Sequence, residues 1–148
     1  MEYRTGSIGR VMTIRFDHGE DFLAGLREIL FKEKICSAWF QVIGALDKAG
    51  VVTGPKEPVV PPDPVWRNVD AVSELIGCGS VHPDDMDGDE PKIHLHGALG
   101  EHGKTLTGCI RRDSRVYLVL EVVVFELLGI KAARPWDEAA GISRLVFR

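Results

Sequence analysis

The most β-prone stretch of the sequence runs from residue 116 to residue 128 and reads VYLVLEVVVFELL. Its valines and aromatic side chains favour extended backbone, so we predict that it forms the central strand of a sheet. Glu121 interrupts the apolar run on the face that also carries Val119 and Val123, because side chains alternate along a strand. A carboxylate in such surroundings is paired, protonated or functional. Glu121 is therefore a candidate general acid/base, and a carboxylate paired at a subunit contact or sheet end is the alternative.

The segments around this stretch supply one helix and several further strands. Residues 9–16 alternate between apolar and polar side chains, which indicates a half-buried first strand. Apolar residues then recur at helical spacing over residues 20–34, which indicates an amphipathic helix. Further strands are predicted for the segments SAWFQVIGAL, GVVTG, SELIGCGSV, KIHLHGAL, TLTGCIRR and ISRLVF. One helix followed by many strands predicts an α+β fold with a largely antiparallel or mixed sheet.

Length and composition indicate one ordinary globular domain that spans residues 1–148. Hydrophobic residues make up 45% of the chain and charged residues 27%, which is enough apolar material for one core. Residues 55–66 differ, because they contain five prolines and proline lacks the donor that a central strand needs. We expect them to form a loop or arm that packs on another subunit, since Val59, Val60 and Trp66 are apolar.

Charge and cysteine content limit the partners and the compartment. The formal net charge is −4, which argues against non-specific binding to phosphate backbones, because that requires a basic face. No run of about 18 apolar residues is present, so we expect no membrane span. Residues 1–10 lack the apolar core of a signal peptide. Cys36, Cys78 and Cys109 are odd in number and widely spaced, which predicts reduced thiols in the cytoplasm.

Two histidines in the stretch KIHLHGALG, residues 92–100, point to a functional site. His94 and His96 face the same way if this segment is a strand. A hairpin turn after it would bring the next strand, which carries Cys109, alongside. A four-residue loop at residues 101–104 places Cys109 opposite His96 on the same face. A five-residue loop turns Cys109 to the other face, because one residue of register reverses every side chain.

Two imidazoles and one thiolate on one face suit zinc, with the fourth position open for water or substrate. His82, which precedes a proline and an acidic loop, could approach the same ion. The alternative is a pair of half-exposed histidines, His94 and His96, next to an ordinary buried cysteine.

With these features in place, the chain resembles the PPC (plant and prokaryote conserved) domain family, in its stand-alone bacterial form. The order and spacing of the motifs carry the resemblance, and they span nearly the whole chain. The motifs are GEDF at 19–22, VIGAL at 42–46, SELIG at 73–77, HLHGALG at 94–100, TGCI at 107–110 and LEVVV at 120–124. The resemblance implies a mixed or antiparallel sheet wrapped around one main helix, and usually a homotrimer.

The resemblance also implies a metal site. Family members carry an H-x-H pair followed by a G-G-H on the next strand. Acetolactate decarboxylase, a distant structural relative, is similar in binding zinc through an H-L-H and a G-G-H. Here the pair is His94 and His96, and the third position is Cys109, which departs from the pattern. Cysteine is a good zinc ligand, so zinc is the expected cofactor; loss of the site is the alternative.

Two kinds of function follow. The first is a trimerising PPC module with a metal-capable site, which carries the family's usual label of predicted DNA-binding protein. The basic R-G-R-P hook that supports this label in plants is absent. The alternative is a zinc-dependent, lyase-like enzyme or sensor for a small carbonyl or carboxylate compound. In that case Glu121 would move a proton, and Arg10, Arg15 or Arg111 would hold a carboxylate.

Overall fold

A computed structural model describes all residues, 1–148, and consists mainly of strands. The elements in chain order are β1 (Ser7–Asp17), α1 (Phe22–Lys32), β2 (Ala38–Pro55), β3 (Pro64–Val69), β4 (Ser73–Pro83), β5 (Pro91–Glu101), β6 (Lys104–Leu128), β7 (Ala132–Ala133), β8 (Trp136–Asp137), β9 (Ile142–Ser143) and β10 (Val146–Phe147). No helix here has the length and apolarity needed to span a bilayer.

The first six strands form one sheet in the order β1-β6-β5-β4-β2-β3, and every pairing in it is antiparallel. β6 also pairs with β2, so that β2, β4, β5 and β6 close into a ring. The inner face of this ring and the apolar side of α1 form the core, in which Phe22, Phe40, Leu95 and Leu120 are fully buried. The predicted antiparallel sheet is therefore confirmed.

The central strand is longer than the sequence indicated. The predicted strand at 116–128 is the C-terminal half of β6, and the segment TLTGCIRR is its N-terminal half. The two halves join at bends where Asp113 and Leu118 adopt positive φ angles of 55° and 58°. Irregular register with β2 accompanies these bends. The N-terminal half pairs with β5, the C-terminal half pairs with β1, and β2 pairs with both halves. This pairing keeps the chain extended through residues that alone would favour a turn.

β2 unites two predicted strands in the same way. SAWFQVIGAL and GVVTG belong to one 18-residue strand. Gly44 has a φ of 138° and bends the strand without ending it. β2 continues to Pro55, and β3 begins at Pro64 and pairs back onto it. The proline-rich stretch is therefore the connection of a hairpin within this sheet, and Val59 and Val60 at its tip are exposed.

The helix is shorter than the predicted span of residues 20–34. It begins after Asp21, whose side chain accepts a hydrogen bond from the Ala24 N–H. It ends where Lys34 takes a positive φ of 55°, a common helix terminus. The buried Ser114 hydroxyl accepts from Leu23 N–H and donates to Asp21, which ties the helix to β6. Because α1 is short and contacts mainly β5 and β6, the sheet wraps around it only roughly.

Candidate metal centre

The turn between β5 and β6 determines whether the three proposed ligands meet. His102 and Gly103 form a two-residue connection with φ angles of 46° and 81°, which is typical of tight hairpin turns. Glu101 pairs with Lys104, and this register places His96 directly opposite Cys109. This is the register expected for a four-residue loop at residues 101–104, so Cys109 lies on the same face as His96.

His94, His96 and Cys109 form a compact group on the outer face of the ring. Their ligand atoms all lie within 4.8 Å of one another, and the two Nε2 atoms are 3.1 Å apart. Two nitrogens bound tetrahedrally to one zinc at about 2 Å would be roughly 3.3 Å apart. The two imidazoles are exposed and the thiol is buried. The donor atoms and their spacing therefore fit a transition-metal ion that is open to solvent on one side.

The surroundings of His94 favour its neutral form. Burial is the largest cause that lowers the pKa of His94 to about 4, and the positive charge of Arg134 is the next. The pKa of His94 is lowered although the residue as a whole is exposed. A neutral imidazole is the form that binds a metal ion, so His94 needs no deprotonation at neutral pH to act as a ligand.

Two arginines lie beside this group. Arg111 donates from Nε to the Cys109 Sγ at 3.3 Å. Arg134 donates from Nη2 to the Ser80 hydroxyl at 2.8 Å, and its backbone N–H donates to the Pro83 carbonyl at 2.8 Å. Burial lowers the pKa of Arg134, and the Cys109 sulfur opposes this effect. Of the three arginines considered from the sequence, only Arg111 is here. Sequence reasoning missed Arg134, which no local motif marks.

Other candidate residues lie outside the group. Arg10 pairs with Glu126 at 2.9 Å, and Arg15 pairs with Asp17 at 3.0 Å. His82 is buried, with Nδ1 3.1 Å from the Ser37 hydroxyl. Burial, followed by the charge of Arg134, lowers the pKa of His82 to about 4.

Glu121 shares the outer face with the three ligands but lies on the far side of the sheet. Glu121 pairs with Ile43 of β2. Across the sheet, Ile43 pairs with Ile76 of β4, and Ile76 pairs with Ala98 of β5. Three strand spacings of about 4.8 Å each separate Glu121 from β5. A role of Glu121 at the centre therefore needs a second copy of the chain to bring it there.

Exposed apolar side chains cover the outer surface between Glu121 and the histidines. We call this surface the apolar face. It consists of the exposed Val11, Trp39, Ile43 and Ile76 and the half-buried Val123 and Phe125. Phe125 pairs with both Val11 and Trp39, and Ile43 pairs with Ile76. The exposed Gln41 lies between these two groups and pairs with Val123. The border of the apolar face with the metal centre is Cys78, which lies directly opposite His96.

Comparison with known proteins identifies the family. The model of the Plants and Prokaryotes Conserved (PCC) domain matches residues 3–128. The chain belongs to this family. PCC and PPC are two abbreviations for the same family, which the motifs also indicated. Among curated proteins, none matches the sequence.

Solved structures of similar proteins support the assignment to the PCC family. A metal-containing protein from Archaeoglobus fulgidus is 25% identical, with a TM-score of 0.84 and coverage of 99% of each chain. A plant- and prokaryote-conserved protein from Pyrococcus horikoshii is 25% identical, with a TM-score of 0.82 and coverage of 100% of this chain and 97% of that one.

More distant structures share the fold alone. A candidate DNA-binding protein from Ralstonia eutropha is 19% identical, with a TM-score of 0.75 and coverage of 92% and 90% of the two chains. Acetolactate decarboxylase from Bacillus subtilis is 18% identical, with a TM-score of 0.53, and the match covers 81% of this chain and 53% of that one. The expected distant similarity to that enzyme is confirmed at the level of the fold.

Proposed function

We propose that this PCC-domain protein binds one transition-metal ion, of the zinc type, through His94, His96 and Cys109. The observation that carries the proposal is the meeting of these three donor groups within 4.8 Å on one face. Two nitrogens and one sulfur are a donor set that zinc prefers. A relative with 25% identity over 99% of the chain is described as metal-containing, which adds support.

The residues of the chain have distinct parts in this proposal. His94 and His96 supply neutral nitrogens from β5, and Cys109 supplies a thiolate from β6. Arg111 donates from Nε to this sulfur at 3.3 Å. When bound, zinc with one open position polarises a carbonyl oxygen or lowers the pKa of a bound water. The same centre would serve the alternative function of a lyase-like enzyme or a sensor for a small carbonyl or carboxylate compound.

Metal analysis tests the centre directly. Protein freed of metal by chelation and dialysed against zinc is expected to retain about one ion per chain, as a three-ligand site does. A His94→Asn variant should lose this zinc, because only two ligands remain. His102→Asn is the matched control, since His102 lies in the hairpin turn outside the group. Wild-type protein that holds only traces of zinc after dialysis contradicts the proposal.

We also propose that the protein is a homotrimer in which the apolar face is covered by other copies of the chain. Four large apolar side chains on one sheet surface are unusual for a monomer. The proposed number of three chains per oligomer comes from the family resemblance. The proposal includes a reducing cytoplasm as the compartment, in keeping with three free cysteines. It does not include DNA binding, because the net charge is −4 and the relatives so described share the fold alone.

Light scattering at micromolar concentration is expected to give the mass of three chains. Ile76→Glu should reduce this mass, because the substitution puts a charge on the apolar face beside Ile43. Phe31→Glu is the control: Phe31 is also a large exposed apolar residue, 55% exposed against 67% for Ile76, but it lies on the helix. A wild-type mass of one chain, or equal effects of the two variants, contradicts the proposal.

A further inference from the structure

Three cationic side chains lie around the metal centre, and none of them is paired with a carboxylate. Arg111 contacts the Cys109 sulfur. Lys92 lies two residues before His94 on the same strand face, and its Nζ donates to the Arg134 carbonyl at 3.3 Å and to Ser143 at 3.1 Å. Arg134 is the third. The salt bridges of the chain engage other arginines and one other lysine.

Arg134 is held in place through Nη2, while its buried Nε donor has no partner. Its Nη2 is fixed by Ser80, the residue that pairs directly with His94. Its Nε is buried and has no hydrogen-bond partner. A buried donor without an acceptor costs free energy, so such groups call for an explanation, often an ion or water that completes the site.

The charges of the centre remain uncompensated when a metal ion is added. A divalent ion with one thiolate and two neutral imidazoles keeps one positive charge, and the side chains of Lys92, Arg111 and Arg134 bring the total to four. Isolated charges of one sign repel each other strongly where water is partly excluded. The missing partner is therefore negative.

We propose that this centre binds a small carboxylate, whose oxygen atoms accept hydrogen bonds from the guanidinium groups of Arg111 and Arg134. The planar fork of a guanidinium group matches the two oxygens of a carboxylate. The proposal deepens the proposed function, on which it rests for the position of the ligand next to the metal. Arg134 lies beyond residue 128, where the family match ends, so the C-terminal segment supplies one of the two recognition groups.

Acetate and acetamide are suitable probes because they have nearly the same size and shape and differ in charge. Binding is measured at constant ionic strength in two forms of the protein. In the Co²⁺-loaded protein, binding is followed by the change in the visible spectrum of the ion. In the metal-free protein, binding is followed by the rise in melting temperature. Acetate should give a saturable change in both forms, and acetamide should give none in either.

Substitutions assign the effect to particular arginines. Arg134→Gln and Arg111→Gln should each weaken acetate binding about tenfold, the size expected for one lost hydrogen bond to a charged group. Arg144→Gln is the control, because Arg144 lies in the same segment but pairs with Asp137 at 3.4 Å. Arg111 is exposed, so its variant should fold even if loss of the Ser80 contact destabilises the Arg134 variant.

The outcomes separate the two proposals. Acetate that binds the Arg111→Gln variant as tightly as the wild type, or acetamide that binds as well as acetate, overturns the carboxylate proposal. A wild-type protein that takes up no Co²⁺ but is stabilised by acetate through Arg111 overturns the metal proposal and leaves the carboxylate site supported. Uptake of Co²⁺ without any response to acetate overturns the carboxylate proposal and leaves the metal proposal supported.

Discussion

Replacing Gly44 with alanine should lower the free energy of unfolding by about 3 kcal/mol or more, through backbone strain together with overpacking. Gly44 has a φ of 138°, a conformation that residues with a Cβ rarely adopt. An added Cβ would also lie 2.5 Å from the Val119 carbonyl oxygen and 2.7 Å from the Leu120 Cα. Both atoms belong to the backbone of β6, which cannot move aside without breaking the pairing that closes the ring.

Gly54→Ala separates these two causes. Gly54 has almost the same φ, 134°, but an added Cβ would meet nothing within 4 Å. It should therefore show the backbone cost alone, about 1–3 kcal/mol. Urea unfolding followed by circular dichroism measures both variants. Equal losses of stability for the two variants would contradict the tight approach of β2 to β6 at Gly44.

Replacing Cys109 with serine should weaken zinc binding by about 100-fold or more, since loss of even an outer partner of a metal ligand costs 10–100-fold. Cys109→His should retain most of the affinity, because it restores the three-histidine set that the family resemblance implies. Competition with a chromophoric chelator measures both affinities. In Co²⁺-loaded protein, the sulfur-to-cobalt charge-transfer absorption should be present in the wild type and absent from both variants.

Cys78→Ser is the matched control for this prediction. Cys78 and Cys109 both pair directly with His96, from opposite sides, but only Cys109 belongs to the group of potential ligands. The Cys78 variant should therefore keep the wild-type affinity and the charge-transfer absorption. If serine at residue 109 leaves zinc affinity unchanged, or serine at residue 78 reduces it equally, Cys109 is not a ligand.

The placement of His94 and His96 could be predicted from the sequence, because it follows from local rules. Alternation along one strand places His94 and His96 on the same face, and this depends on no distant contact. The position of Cys109 depended only on whether the turn between β5 and β6 has an even or odd number of residues. His102 and Gly103 adopt positive φ angles, which a tight hairpin requires, and the even register follows.

Features that depend on contacts distant in sequence could not be predicted. β2 and β6 each continue through residues that look like strand ends, because pairing with several other strands holds the backbone extended there. Arg134 is 40 residues from His94 in the sequence, and no local motif marks it. Only the packing of the C-terminal segment against β4 and β5 brings the two side chains together.

The length of β6 links several strands of the sheet through one element. This strand pairs with β1, β2 and β5, so we expect these four strands to unfold together. A ligand that binds only the folded state stabilises all elements that unfold together. An ion held at Cys109, near the start of β6, would therefore protect residues as remote as Phe125 near its end, and occupancy of the centre would govern how long the protein survives proteolysis.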